Sequence, residues 1–149
     1  MPAMADEATE HITIAASPEH CWDVVVDFER YPEWAKDVKE AVVREHDDQG
    51  RTTEVEFRAS ALGRSTHYTL AYDYSEAPRV LSWSLVKGDI MRSLGGSYRF
   101  TPSATMAGGT DVEYMVSIEL VVPLPGFVKR RAEVRILSTI KELKTRAEG

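Results

Sequence analysis

The chain has 149 residues, enough for one domain with a substantial core, and its 43% apolar and 28% charged residues are typical of a globular protein. The net charge of −6 argues against general nucleic-acid binding. Cys21 is the only cysteine, so no internal disulfide can form, and no apolar run approaches the roughly 20 residues of a membrane-spanning helix. We therefore expect a single domain over residues 1–149, located in the cytoplasm. Residues 1–9 lack the basic start and apolar stretch of a signal peptide and are expected to be a flexible N-terminus.

The first predicted elements are a short strand and a short helix. Alternating isoleucines predict a strand over residues 11–16. Ser17 is a typical N-cap and Pro18 a typical first helical residue, and this helix is expected to end near Asp27. The aromatic-rich segment 28–36 contains a tyrosine directly before a proline, which disfavours regular helix. We expect a loop or an irregular second helix there.

Six further strands are predicted in an unbroken series. Apolar and polar residues alternate within them, and turns rich in glycine, proline or aspartate separate them. The predicted strands cover residues 38–46, 52–61, 65–74, 79–87, 95–100 and 110–122. Each strand thus has one apolar and one polar face, as expected of an antiparallel sheet that is covered on one side.

A long amphipathic helix is predicted from about Phe127 to near the end of the chain. Its apolar residues repeat at spacings of three and four, which places them on one stripe. They are Val128, Ala132, Ile136, Ile140, Leu143 and Ala147. Such a helix is about 30 Å long and can cross a sheet from edge to edge. The predicted fold is α+β: a curved antiparallel sheet of about seven strands around a long C-terminal helix, with short helices after the first strand.

The space between this sheet and this helix has two interpretations. A helix about 10 Å wide cannot contact the whole face of a twisted sheet, so either large side chains fill the gap or a cavity remains. Tyrosines on the apolar faces bear on the choice, because a buried hydroxyl without a partner costs about 1–3 kcal/mol. Water or a ligand in a cavity would supply the partner, and so would the rim of a solid core. Periodicity alone leaves both interpretations open.

The C-terminal end of the chain is basic although the chain as a whole is acidic. Residues 125–149 hold seven Lys or Arg against three Glu, a local charge of +4 within the total of −6, so the remainder carries −10. This helix is either the solvated outer face of an element seated on an acidic sheet, or a docking surface for anionic lipid or a protein partner. Both interpretations remain open at this level.

No motif for catalysis, metal binding or phosphate binding is found. The four histidines have no ligand partners at metal-site spacing, and the glycine pair at 95–96 is not followed by the Lys-Ser/Thr of a phosphate loop. Cys21 adjoins Trp22 in a predicted helix and has no obvious partner base, so a packed thiol is expected there. His67 falls on the polar face of its strand. We therefore predict no catalytic residue, no metal and no cofactor. Arg92 falls in the predicted loop after Asp89.

Four segments carry a resemblance to a known family. They are RYPEW (30–34), VLSWSL (80–85), GGSYRFTP (95–102) and GGTDVEY (108–114), the last preceding a Pro-Leu-Pro helix start. Their order and spacing resemble the START-like or Bet v 1-like superfamily (SRPBCC), in its polyketide cyclase/dehydrase and coenzyme-Q-binding branch. The resemblance covers about residues 11–143. It implies the helix-grip fold with a deep apolar cavity between sheet and helix, but no particular activity, because this fold serves carriers, cyclases and binding proteins alike.

The resemblance and the apolar faces together predict binding or transport of a hydrophobic small molecule, such as a lipid, a quinone or a polyketide-like compound. An enzyme of the polyketide cyclase/dehydrase type is one alternative; such members typically have an arginine in the cavity, and the resemblance implies that Arg92 lies near its mouth. An interaction protein like the ribosome-associated toxins of the superfamily is another alternative. The oligomeric state is not determined.

The predicted ligand-binding residues lie on the apolar faces of the strands, on the helix stripe or in flanking loops. They are Trp34, Phe57, Tyr68, Leu70, Tyr72, Trp83, Leu85, Met91, Tyr98, Tyr114, Val116, Ile118, Phe127, Ile136 and Ile140. Trp34 and Met91 are expected to flank the opening, in segments 28–36 and 87–94. The ring of Trp83 is expected to reach toward Ile136 and Ile140.

Overall fold

A computed structural model describes residues 6–61, 63–121 and 125–149. The strands are β1 (Asp6–Ile14), β2 (Val38–His46), β3 (Thr52–Ala61), β4 (Arg64–Asp73), β5 (Val80–Gly88), β6 (Met91–Pro102) and β7 (Thr110–Leu120). The helices are α1 (Pro18–Val26), a 3-10 helix (Phe28–Glu33), α2 (Gly126–Leu137) and α3 (Thr139–Glu148). The strands form one seven-stranded antiparallel sheet in the order β1-β7-β6-β5-β4-β3-β2. The predicted α+β architecture is confirmed.

The strand bounds agree with the sequence pattern in the middle of the chain and differ at the edges. Strands β2 and β3 have the predicted bounds. Strand β1 begins at Asp6 instead of residue 11, so residues 6–9 of the expected flexible N-terminus pair with β7, and residues 1–5 lie outside the described part of the chain. Strand β6 begins at Met91 instead of residue 95 and pairs with the end of β7. These residues extend β1 and β6 because their backbones pair with β7, although their side chains do not alternate between apolar and polar. The predicted end of the last strand, Val122, lies outside the described residues.

The helical segment after β1 forms as its cap residues predict. The Ser17 hydroxyl accepts a hydrogen bond from the His20 backbone N–H at 3.1 Å, and Pro18 opens α1. The 3-10 helix that follows is the predicted irregular element. The Tyr31 hydroxyl donates to the Val25 carbonyl oxygen at 2.5 Å, which ties this helix to the end of α1. The aromatic segment is thereby held against the sheet.

The C-terminal helix consists of two segments that pack differently. At Ser138 the backbone stays helical (φ −65°, ψ −16°), but its hydroxyl donates to the Arg135 carbonyl oxygen at 2.6 Å and the regular helix is interrupted there. In α3, Ile140 and Leu143 are fully buried against the core. No residue of α2 whose side chain is described reaches that burial. The single predicted helix therefore consists of a loosely packed segment, α2, and a tightly packed segment, α3.

Further contacts fix α3 to the first strand. The Lys144 ammonium donates to the Thr13 carbonyl oxygen at 3.1 Å, and the Glu148 carboxylate accepts from the Ala15 backbone N–H at 2.7 Å. The half of the molecule beneath α1 and α3 is a solid core. Among its fully buried side chains are Ile14, Val25, Val112 and Leu143. None of the helices in the described part of the chain is both long and apolar enough to cross a bilayer.

Candidate ligand-binding cavity

A cavity of about 660 Å³ lies between the concave face of the sheet and α2. Its walls come from the 3-10 helix and the loop after it, from β2 to β7 and the turns between them, and from α2 with the first residue of α3. The exposed members of the lining, Ser60 and Gly63 at the β3–β4 turn and Arg131 and Arg135 on α2, mark where it opens to solvent. Cavities of a few hundred to 1,000 Å³ are the usual size of small-molecule sites. Of the two interpretations of this space, the cavity is the one that the structure shows.

Eleven of the fifteen predicted residues line this cavity. They are Phe57, Tyr68, Leu70, Tyr72, Trp83, Met91, Tyr98, Tyr114, Val116, Ile118 and Ile136. The strand residues among them share the concave face because alternate residues of a strand point to the same side of the sheet, and Ile136 lines the cavity from α2. The alternation in the sequence therefore located most of the wall.

The other four predicted residues lie elsewhere. Phe127 is 65% exposed, because it falls on the side of α2 opposite the cavity. Ile140 is fully buried in the packed segment α3. Trp34 is buried with its ring centroid 4.9 Å from that of Tyr31, beneath the wall and not at the opening. Leu85 packs against the core next to a register shift between β4 and β5 and does not reach the cavity.

Sequence reasoning missed sixteen lining residues, which fall into two groups. Six continue the rows or the helix stripe already recognised and could have been inferred from them: Ala59, Thr66, Leu94, Leu120, Val128 and Ala132. Ten come from the 3-10 helix, from loops and turns, from strand ends or from polar helix positions, which no period marks: Tyr31, Ala35, Asp37, Val38, Ser60, Gly63, Ile90, Arg131, Arg135 and Thr139. The second group forms much of the mouth.

Trp83 is the largest side chain of the wall, and a glycine on the next strand makes room for it. Gly96 pairs with Trp83 across β5 and β6, and a Cβ added at Gly96 would stand 2.7 Å from the indole ring. The ring therefore lies directly over the backbone of β6. Its centroid is 5.2 Å from that of Tyr98 and 6.1 Å from that of Tyr114. Ile136 lines the same cavity, whereas Ile140, the other expected neighbour, belongs to the packed core.

Several tyrosine hydroxyls open on the cavity. No hydrogen bond joins the hydroxyl of Tyr68, Tyr72 or Tyr98 to another described residue, in contrast to that of Tyr74, which donates to the Thr52 carbonyl oxygen at 2.6 Å. Within the described residues, every side-chain nitrogen or oxygen that is sealed from solvent has a partner. The three hydroxyls are therefore not sealed and face the open space. They are hydrogen-bonding groups without a partner among the described residues, in walls that are otherwise mainly apolar.

These hydroxyls are neutral donors at ordinary pH. Burial raises the pKa of Tyr68 to about 12, and the nearby Asp37 carboxylate adds to the effect. Burial likewise holds the pKa of Tyr72, Tyr98 and Tyr114 well above the ordinary value of a tyrosine. A neutral phenol donates a hydrogen bond to a carbonyl or hydroxyl oxygen, and it does not act as a base.

Raising the pH from about 8 to about 11 is expected to lower the free energy of unfolding. In the unfolded chain a tyrosine ionises near pH 10, whereas Tyr68 in the folded chain keeps its proton until about pH 12. Between these values the unfolded state binds fewer protons, so stability falls by up to about 1.4 kcal/mol per pH unit for each such tyrosine. Urea titrations followed by circular dichroism measure the free energy of unfolding at each pH. Tyr68→Phe should flatten the slope, and a stability that is constant across this range would contradict the assignment.

An ion pair closes one side of the mouth. The Arg135 guanidinium on α2 donates to both carboxylate oxygens of Asp37, at 2.8 Å each, and this pairing raises the pKa of Arg135. Because 62% of the Arg135 side chain is exposed, the pair contributes little stability, about 0.2–1 kcal/mol. Its geometric effect is to join α2 to the loop before β2.

The other polar residues considered in the sequence lie away from the cavity. Arg92 does not reach the mouth: its guanidinium donates to Glu119 at 3.1 Å on the exposed side of the sheet. His67 is exposed, as its place on the polar face predicted. Cys21 is fully buried, and burial raises the pKa of its thiol, as expected of a packed cysteine. No cluster of three or more potential metal ligands occurs in the described part of the chain.

Comparison with known families confirms the resemblance seen in the sequence. The family model described as "Polyketide cyclase / dehydrase and lipid transport" matches residues 5–148, nearly the whole chain. The protein belongs to this family, whose members are associated with hydrophobic ligands or with cyclase/dehydrase chemistry. No curated protein matches the sequence significantly.

Several solved structures share the fold. A START superfamily protein from Mycobacterium smegmatis is 23% identical, with a TM-score of 0.87, 95% of this chain and 97% of that chain being covered. The Zhui aromatase/cyclase from a Streptomyces species is 14% identical, with a TM-score of 0.81 and coverages of 96% and 93%. A protein from Thermus thermophilus is 22% identical, with a TM-score of 0.80 and coverages of 95% and 97%. At these identities the likeness establishes the helix-grip fold and no activity.

Proposed function

We propose that this protein binds and carries a hydrophobic small molecule, such as a lipid, a quinone or a polyketide-like compound, inside the cavity. The observation that supports this most directly is the cavity of about 660 Å³, walled by apolar and aromatic side chains. A space of that size could have been filled by larger side chains, and close packing is the normal state of a protein interior. An apolar ligand would supply the missing contacts.

The tyrosine hydroxyls indicate which chemical groups the ligand should carry. Tyr68, Tyr72 and Tyr98 offer neutral donors inside the cavity, while Arg131 and Arg135 stand at its exposed rim. A ligand with an apolar body and carbonyl or hydroxyl oxygens along it would match these donors, and an acidic group, if present, would lie at the mouth. Ionised groups are costly to bury without a partner.

Native mass spectrometry of freshly purified protein tests the proposal. The expected result is a mass above that of the chain, lost on denaturation, that corresponds to a lipid or quinone. A fluorescent fatty-acid analogue should bind to the emptied protein at one site per chain. A protein that carries no molecule and binds neither the analogue nor a short-chain quinone would overturn the proposal.

Tyr72→Phe is expected to weaken binding of a short-chain quinone without lowering stability. The lost hydroxyl has no partner among the described residues, so its removal leaves no protein group unsatisfied. A hydrogen bond to the ligand is worth about 0.5–1.5 kcal/mol, which is about twofold to twelvefold in affinity. Calorimetric titration and urea unfolding measure the two quantities.

Tyr74→Phe is the matched control, because the Tyr74 hydroxyl donates to Thr52 and the side chain does not line the cavity. It should lose about 1 kcal/mol of stability and leave the affinity unchanged. Equal effects of the two variants on affinity would contradict the role of Tyr72.

A cyclase is the second candidate function, since the Streptomyces aromatase/cyclase has the same fold and the hydroxyls line the cavity here. A cyclase needs a group that moves protons. The pKa of Tyr72 and Tyr98 is well above the ordinary value, which favours binding over catalysis. Turnover of a linear polyketone by the wild type, lost in a Tyr98→Phe variant that still binds it, would favour the enzyme.

Ribosome association and a cytoplasmic location stay predictions from the sequence. Cosedimentation with ribosomes that is lost at high salt would support ribosome association.

A further inference from the structure

The outward face of α2 carries apolar and basic side chains together. Phe127, Arg130, Arg131 and Val134 follow the spacing i, i+3, i+4, i+7, which places them on one side of the helix. Phe127 is 65% exposed and Val134 is 68% exposed, the two largest exposures among the large apolar residues in the described part of the chain. Both arginines are exposed as well. We call these four residues the α2 outer face.

The opposite side of the same helix is also apolar. Val128, Ala132 and Ile136 line the cavity. A surface helix of a globular protein usually has one apolar stripe, directed toward the core, and a polar remainder. Helix α2 instead has an apolar stripe toward the cavity and exposed apolar side chains toward solvent, so the outer face is not explained by folding.

The positive charge of the α2 outer face favours an anionic partner over a second copy of the chain. The C-terminal segment from residue 125 carries a net +4, whereas the rest of the chain carries −10. A second copy of the chain docked face to face would gather Arg130 and Arg131 of both copies in one interface, where their like charges repel. A bilayer with anionic headgroups attracts the arginines and accepts Phe127 and Val134 into its apolar boundary, as it does for interfacial amphipathic helices.

The outer face adjoins the mouth of the cavity. Arg131 belongs to both, since it is exposed on this side of α2 and also lines the opening. Docking through this face would therefore bring the mouth to the bilayer surface, and a hydrophobic ligand could pass between bilayer and cavity without crossing bulk water. We propose that the α2 outer face is a docking surface for anionic membranes; this rests on the proposed function, in which the ligand is hydrophobic.

Vesicle flotation with the full chain tests the docking. The protein should float with vesicles of phosphatidylcholine containing about one third phosphatidylglycerol, and far less with pure phosphatidylcholine. Raising the salt from about 0.1 M to about 0.5 M should release it, because screening shortens the reach of the arginines. Arg130→Gln should weaken partitioning about fivefold, and the double variant Phe127→Ser, Val134→Ser about tenfold or more.

Val86→Ser is the matched control, since Val86 is 49% exposed but lies on a strand away from α2. It should float as the wild type does. Equal partitioning to both vesicle types, or losses as large in Val86→Ser as in the double variant, would overturn the docking proposal. So would a dimer on size exclusion that the double variant abolishes, because the outer face would then bind a second copy.

Binding of the fluorescent fatty-acid analogue without vesicles separates this proposal from the proposed function. The double variant should bind the analogue as tightly as the wild type, because neither residue lines the cavity. If the wild type binds the analogue but does not float, only the docking proposal fails. If it floats but binds no apolar probe, the proposed function fails, and with it the reason for the docking.

Discussion

Replacing Ala132 by tryptophan should weaken ligand binding strongly and leave the fold intact. Ala132 faces the cavity from α2, so an indole placed there enters open space and not packed atoms. We expect the affinity for a fluorescent fatty-acid analogue to fall by at least about tenfold, equivalent to about 1.4 kcal/mol. The free energy of unfolding should change by no more than about 0.5 kcal/mol, as for a substitution that disturbs no packed group.

Ala147→Trp is the matched control on the same C-terminal helix. Ala147 is 5% exposed, belongs to the packed core and does not line the cavity. A large side chain forced into that core should cost about 1–3 kcal/mol or more. Urea titrations followed by circular dichroism compare the two variants. If Ala132→Trp were as destabilising as Ala147→Trp, the space beneath α2 would be packed in solution and the carrier function would fail.

Trp83→Ala is expected to change ligand affinity strongly and stability moderately. Deleting a core aromatic usually costs about 3–5 kcal/mol, partly because it leaves a cavity. Trp83 already borders open space, so its deletion enlarges an existing cavity and should cost less than that range. The affinity for apolar probes should change by tenfold or more, about 1.4 kcal/mol. Paired denaturant titrations and probe binding measure both effects.

Leu81→Ala, two residues earlier on β5, provides the comparison for Trp83. Leu81 is fully buried and does not line the cavity. Its truncation should cost about 2–5 kcal/mol and leave the affinity of the folded protein unchanged. If Trp83→Ala lost about 3–5 kcal/mol of stability and the wild type bound no apolar probe, the carrier function would be refuted. A catalytic or docking role would then be favoured.

The two segments of the C-terminal helix have different roles. Segment α3 supplies fully buried side chains, Ile140 and Leu143, and hydrogen bonds to the start of the chain, so it stabilises the domain. Segment α2 contributes a wall of the cavity, the ion pair at the mouth and the outer face. Substitutions in α2 should therefore affect binding more than stability, and those in α3 the reverse.

The alternation of side chains determined most of the cavity wall. Residues such as Tyr68, Tyr72 and Tyr114 could be assigned to one face from sequence alone, because the period of two is a property of the extended backbone itself. The helix stripe through Ala132 and Ile136 followed in the same way from the period of 3.6. Local chemistry likewise predicted the cap of α1 by Ser17. These features depend on residues close together in the chain.

The tertiary structure decided the rest. Whether the apolar stripe of the C-terminal helix meets a core or a cavity depends on the curvature of the sheet and on where the helix crosses it, so Ile136 lines the cavity whereas Ile140 is packed. The outward position of Phe127 depends on where α2 begins. The pairing of Arg135 with Asp37 joins residues nearly a hundred positions apart, which no local period records. The sequence alone thus determined which side chains share a face, and only the packed chain determined which of those faces enclose space, because enclosure depends on the distances between elements.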